Sequence, residues 1–357
     1  MLCLLPLFLS APPNTPFVQV YKGHLYKDGR RIRLWGINIH GPYPPEGSSY
    51  EKVDANVKRI KAMGFNAVRL WGGRAFCEVK GGRRVYKTYK RGDGSALDLM
   101  DYCIARLKKE GLLIWLTWLD YHHVAPADVD LVDDPKTRDE WLRAVEELKK
   151  PKYGRGRRLI FYFDPRAKEA FKDHIRRVLL HKNQYTGLAI KDDPVFAVLE
   201  LDNELQFMDN MLGLKGKTGW GHTHVREVLP DFFYRELVAL WNDFLRRKYG
   251  SQERLLSAWG RLDEGESLDK GTVDLQPCYA NAGKYPEERG ADIVRFYRQL
   301  YWEATSEFVN LIRELGCKIP VILHTIASVH GLHIAYSNSP GDAVAYGNYW
   351  MQFGDEP

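Results

Sequence analysis

Cysteine is scarce: the 357-residue chain has five, and no two of them stand as Cys-x-x-Cys. The spacing that a zinc ribbon or a thioredoxin-like redox centre needs is therefore missing. Long apolar runs are missing too. Residues 1–11 are apolar but fall well short of the roughly 20 residues of a membrane-spanning helix, so no stable membrane insertion is expected. No internal repeat or low-complexity tract is present. The formal net charge is +6, and much of the positive charge lies in residues 80–91 and 149–158, two Gly-containing stretches between apolar segments. Such stretches read as solvated loops. Binding nucleic acid would want a basic face with aromatic or groove-reading elements; the loop reading is preferred, and no nucleic-acid partner is expected.

Aromatic residues are plentiful, 13% of the chain with 10 Trp and 20 Tyr, and hydrophobic residues reach 45%. That composition supports a large core. Residues 1–16 resemble a secretory leader, an apolar run followed by small residues and proline. A secreted or periplasmic protein is expected, with residues 17–357 as one domain. Within it strand and helix patterns alternate, the signature of an α/β fold with a parallel sheet. Residues 18–33 read as a hairpin turning at Asp28-Gly29. Strands follow at 34–39, 65–71, 112–119, 195–201, 319–324 and 343–349. Helices are expected at 51–63, from Ser95 to Gly111, from Asp164-Pro165 to about residue 182, and at 232–249, 252–259 and 291–315. Residues 79–89 look like an excursion hairpin and residues 121–163 like a long loop. Length and order fit a (β/α)8 TIM barrel, with about six of its eight βα units in this chain.

In such a barrel the C-terminal strand ends build the active site. Here they carry Asn38 and His40, Arg69 and Trp71, Trp118 and Asp120, Asn203 and Glu204, His324, and finally Asn348, Tyr349 and Trp350. The strand at 195–201 runs into Asn203-Glu204, which makes Glu204 the candidate general acid/base. Arg69 sits inside an apolar strand and would cost on the order of several kcal/mol if left unpaired. It needs acidic partners. Glu200, four residues before Glu204 and deeper along the strand, reads as one of them. Trp71, Trp118, Trp220 and Trp350 are candidate platforms for sugar faces.

Four stretches carry a resemblance: Arg33-Leu34-Trp35-Gly36-Ile37-Asn38; Gly64-Phe65-Asn66-Ala67-Val68-Arg69-Leu70-Trp71; Tyr185-Thr186-Gly187-Leu188 leading into Asp192-Asp193-Pro194; and Asn203-Glu204. Together they are similar to clan A glycoside hydrolases, above all glycoside hydrolase family 5 and its cellulase-like relatives, over about residues 17–350. The resemblance implies hydrolysis of β-linked polysaccharides or oligosaccharides by a retaining two-carboxylate mechanism, without metal or cofactor. It implies that Glu204 is the acid/base and that Asn203 holds the sugar 2-hydroxyl. Arg69 would support the nucleophile and Tyr349 would contact it. His40, Trp71, Trp118, Asp120, His324 and Trp350 are expected to touch substrate. Two places depart from the family: Gly347 stands where relatives often carry a His, and Asp120, Tyr121, His122 and His123 crowd the end of the third strand. The family's nucleophile is a Glu ending the seventh strand, expected beyond residue 357, so the chain reads as a barrel domain incomplete at its C-terminus. Glu356 has no strand before it and does not substitute.

Two alternatives stand beside this reading. A catalytically inactive glycan-binding barrel would keep the Trp platforms without turnover. A metal-dependent barrel hydrolase would draw on His122-His123 or His222-x-His224, although the first strand ends Asn38-Ile39-His40 where such barrels have His-x-His. Residues 121–163 and 206–229 should shape the cleft.

Overall fold

The computed structural model describes residues 14–40, 48–80, 83–118, 124–126, 128, 135–153, 156–203, 215–216, 219–220, 224–277, 287–326, 336 and 338–347. The chain opens on an antiparallel meander, β1 (Gln19–Tyr21), β2 (His24–Lys27) and β3 (Arg30–Ile32). One turn was expected here and there are two. Lys22 and Gly23 have φ of 49° and 75°, and Asp28 and Gly29 have 50° and 71°, the left-handed pairs of two-residue hairpin turns. Asp-Gly announces such a turn, whereas Lys-Gly is outside the favoured pairs.

The main elements follow as β4 (Gly36–His40), β5 (Ala67–Trp71), the hairpin β6 (Cys77–Lys80) and β7 (Arg83–Tyr86), β8 (Leu113–Thr117), β9 (Phe196–Asn203), the short pair β10 (Lys215–Gly216) and β11 (Gly219–Trp220), β12 (Val321–Ile326) and β13 (Ala343–Gly347). Six of these form one parallel sheet in the order β4-β5-β8-β9-β12-β13. Each new strand joins the previous one, as in a (β/α)8 barrel. Among the described residues the sheet is open, with β4 and β13 at its edges, where Ile37 and Val344 are 37% and 44% exposed.

Helices cross between the strands for local reasons. Ser49 caps Tyr50–Ala62 by accepting the Lys52 N–H at 3.3 Å, and Val53, Val57 and Ile60 bury one face of it. Ser95 caps Ala96–Lys109, and Asp164 with Pro165 starts Pro165–Leu180. The expected loop at 121–163 is corrected: it contains the helix Pro135–Glu147. Trp141, Ala144, Val145 and Leu148 are all buried, a helical spacing that dense intervening charge obscured. The long helix begins at Glu287, earlier than expected, and runs to Glu314.

The core lies on the outer face of the sheet, where Val68, Leu70, Ile114, Leu116, Leu199 and Leu323 pack against the helices. A smaller apolar cluster occupies the inner face. Val18, Leu25 and Ile32 of the opening segment cover Val198, Ile322 and Trp115 there. The inner face is left for polar groups nearer the C-terminal strand ends.

Strand β9 is irregular at two points. Against β8, Phe196 and Val198 pair with consecutive residues, which leaves Ala197 over. Against β12, Glu200 and Asp202 do the same, which leaves Leu201 over. Each is a bulge, and a bulge changes which face the following side chains take.

Candidate active site

Side chains alternate along β5. Val68 and Leu70 turn to the helices, so Arg69 and Trp71 turn to the inner face. Arg69 reaches across to β9 and grips Glu200 with both ends of its fork, Nε to Oε2 at 2.8 Å and Nη2 to Oε1 at 2.6 Å. The same Nη2 donates to Asn203 Oδ1. Glu200 is fully buried. Its Oε2 also accepts from Trp115 Nε1 and Thr117 Oγ1, each at 2.5 Å. The guanidinium lies over the Trp71 ring at 4.7 Å, with Trp115 at 5.9 Å on its inner-face neighbour strand.

Chemically this is a closed ion pair. Glu200 has its oxygens occupied by charged or neutral donors, so it serves as the anchor of Arg69. Separating the two would cost about 3–5 kcal/mol, because one charge would stay buried alone. Arg69 in turn orients Asn203. A guanidinium only donates, so the Asn203 carbonyl oxygen must face it and the amide NH2 must point elsewhere.

A regular strand would not allow this. Residues three apart lie on opposite faces, yet Arg69 bonds both Glu200 and Asn203. The extra residue Leu201 restores Asn203 to the Glu200 face. The alternation that groups Glu200 with Glu204 therefore does not carry past Leu201. Glu204 itself lies outside the described residues, as do Asp120, Tyr349 and Trp350.

Register places two further candidates at the same end of the sheet. His40 pairs with Trp71 across β4 and β5, and His324 pairs with Asn203 across β12 and β9. Trp118 is a correction. It is 1% exposed and stacks on His174 at 6.3 Å with 26° between the rings. Following Thr117 on the inner face, it falls on the helix side and belongs to the core, so it offers no platform to a sugar.

The sequence reading missed Trp115 and Thr117 as partners of Glu200. Their signal was a Thr and a Trp at alternate positions of an otherwise apolar strand, level with Arg69. Of the His222-x-His224 pair, His222 lies outside the described residues, and His224 bonds Asp274 at 3.0 Å. Among the described residues no group of three or more His, Cys, Asp or Glu is arranged to hold a metal ion.

With that geometry in place, residues 15–220 match the model of the glycoside hydrolase family 5 β-mannosidase-like proteins. Mannan endo-1,4-β-mannosidase 1 of Oryza sativa subsp. japonica is 26% identical over 199 residues, covering 55% of this chain and 42% of that protein. Its namesake from Solanum lycopersicum is 25% identical over 254 residues, covering 66% and 58%. The chain thus spans about half the length of the curated relatives it matches. Among solved structures, a β-galactosidase from Rahnella sp. R3 superposes with a TM-score of 0.55 at 15% identity, over 88% of this chain and 39% of that one. That likeness is one of fold.

Proposed function

Since the chain belongs to the glycoside hydrolase family 5 β-mannosidase-like family, we propose that it hydrolyses β-linked glycans, with β-1,4-mannan as the first substrate to try, by a retaining two-carboxylate mechanism. The observation that carries the proposal is the Arg69 fork, which joins Glu200 to Asn203 directly before Glu204. In this reading Asn203 is held rigid to bind a sugar hydroxyl, and Glu204 protonates the leaving oxygen and then activates water. Glu200 is tied to Arg69 and takes no part as nucleophile. The nucleophile is a carboxylate outside the described residues. Trp71, His40 and His324, at the same end of the sheet, would line the sugar path, and Asp120, Tyr349 and Trp350 would join them.

The choice of mannan is supported by the names of the two relatives above. A secreted or periplasmic location is supported by the leader-like residues 1–16 and suits a polymeric substrate. No helix among the described residues is long and apolar enough to cross a membrane.

The test uses a protein that carries this nucleophile and compares its unaltered form with Glu204→Gln on β-1,4-mannan and on an aryl β-mannoside with a good leaving group. Loss of the general acid should lower turnover of mannan by about 10²–10⁴-fold, and much less for the first chemical step on the activated substrate. Equal effects on both substrates would remove Glu204 from the acid role. Binding of mannan oligosaccharides without any turnover by that nucleophile-bearing protein would replace hydrolysis by glycan binding.

A further inference from the structure

His224 is held on both sides of its ring. It is the N-cap of the turn Val225–Glu227, where its Nδ1 accepts the Arg226 backbone N–H at 3.1 Å and its backbone N–H donates to Glu227 Oε1 at 3.3 Å. Across the ring, Nε2 stands 3.0 Å from Asp274 Oδ2. A backbone N–H can only donate, so Nδ1 is unprotonated and the ring proton sits on Nε2, given to the carboxylate. The cap therefore exists only in one neutral tautomer.

Asp274 is fixed independently of this ring. Tyr234 Oη and Gln276 Nε2 donate to it, each at 2.6 Å, and its own N–H donates to Glu266 Oε1 at 2.9 Å. Glu266 in turn clamps the buried Arg289 at 2.9 and 2.6 Å. Burial works to raise the Asp274 pKa, but the bonds from His224 and Tyr234 outweigh it and hold the carboxyl below its usual range. Burial, reinforced by the bond to Asp274, pushes the Tyr234 phenol up. Among the described residues, the other charged groups on this ring's side are Arg226 and Glu227 of its own turn and Asp231 of the adjoining helix Asp231–Tyr249. Arg226 lies 3.5 Å from Asp231 and 5.1 Å over the Tyr234 ring.

We propose that His224 is a pH-sensitive positioning residue, whose neutral ring ties the turn Val225–Glu227 to Asp274 and whose protonation at Nδ1 unties that turn while the ring stays on Asp274. The consequence of this tie for glycan turnover rests on the function proposed above, whereas the tie itself does not.

The experiment is hydrogen–deuterium exchange of the full chain at about pH 5 and about pH 7.5, corrected for intrinsic exchange rates, on the unaltered protein, His224→Asn and His224→Phe. Asn caps a turn without titrating. Amides of residues 225–228 in the unaltered protein should exchange about fivefold faster at the lower pH. They should show no pH difference in His224→Asn, and in His224→Phe they should be fast at both pH values. The same acceleration in His224→Asn as in the unaltered protein, or none in either, overturns the proposal. Should His224→Phe not fold, the Asn comparison still decides. If the exchange result holds while a protein carrying the nucleophile turns over no glycan at any pH, the tie stands and the hydrolase reading fails.

Discussion

A guanidinium inside an apolar strand has to find its acceptors within the fold, and Arg69 finds two on β9. The need for a carboxylate partner was legible from Arg69 alone, and Glu200 was the right one to name. The roles of Trp115 and Thr117 were not legible, because they depend on β8 being level with both β5 and β9. His174 is a residue that no motif marked. It is buried between Trp118, Tyr86 and Cys77, with Tyr86 Oη at 3.1 Å and Cys77 Sγ at 3.8 Å from its Nδ1. Burial first, and the Arg84 charge second, lower its pKa to about 3. In the unfolded chain the ring takes a proton below about pH 6.5. Between those two values the unfolded state binds more protons, so stability is full above about pH 6.5 and declines as pH falls toward 3. Urea unfolding at pH 7 and about pH 4 should show the unaltered protein losing on the order of 3 kcal/mol more than His174→Gln over that interval. Equal acid sensitivity in the two proteins would mean that the folded state accommodates a charged ring.

At the scale of elements, apolar runs and caps identified all six strands of the main sheet and most helices to within a few residues. The exceptions have physical causes. The helix Pro135–Glu147 is charged on most positions and presents only a narrow apolar stripe, so it read as loop. Trp141 is fully buried on that stripe and bonds Asp164 through Nε1 at 3.3 Å. Trp141→Ala should therefore cost about 3–5 kcal/mol in a denaturant titration. A change below about 0.5 kcal/mol, typical of exposed positions, would return the segment to loop. The bulges of β9 are the more consequential exception. Nothing in Val198-Leu199-Glu200-Leu201-Asp202-Asn203 announces an extra residue, since the run looks like any buried strand. The bulge is a property of the ladder with β12, and it alone puts Asn203 within reach of Arg69.

At the scale of the whole molecule, the sheet formed by the described residues has two edges, β4 and β13, with no partner strand among those residues and with Ile37 and Val344 exposed. Bare parallel edges of this kind invite pairing with another chain. The 357-residue chain should self-associate in sedimentation velocity runs at micromolar concentration, and the double variant Ile37→Lys, Val344→Lys should shift it toward monomer. Association unchanged by both charges would place the contact elsewhere. The family assignment and the fold agree with what strand order and the stretches around Arg69 and Asn203 implied from the start. By itself the sequence determined the order of strands and helices, the need of Arg69 for a carboxylate, and the end of β9 at an Asn-Glu pair. These follow from runs, caps and burial costs within a few residues of each other. Only the tertiary structure decided that Asn203 shares a face with Glu200, that Trp118 is core, and that His224 caps a turn against Asp274. Each of those depends on register and packing between segments distant in the chain, which no local pattern encodes.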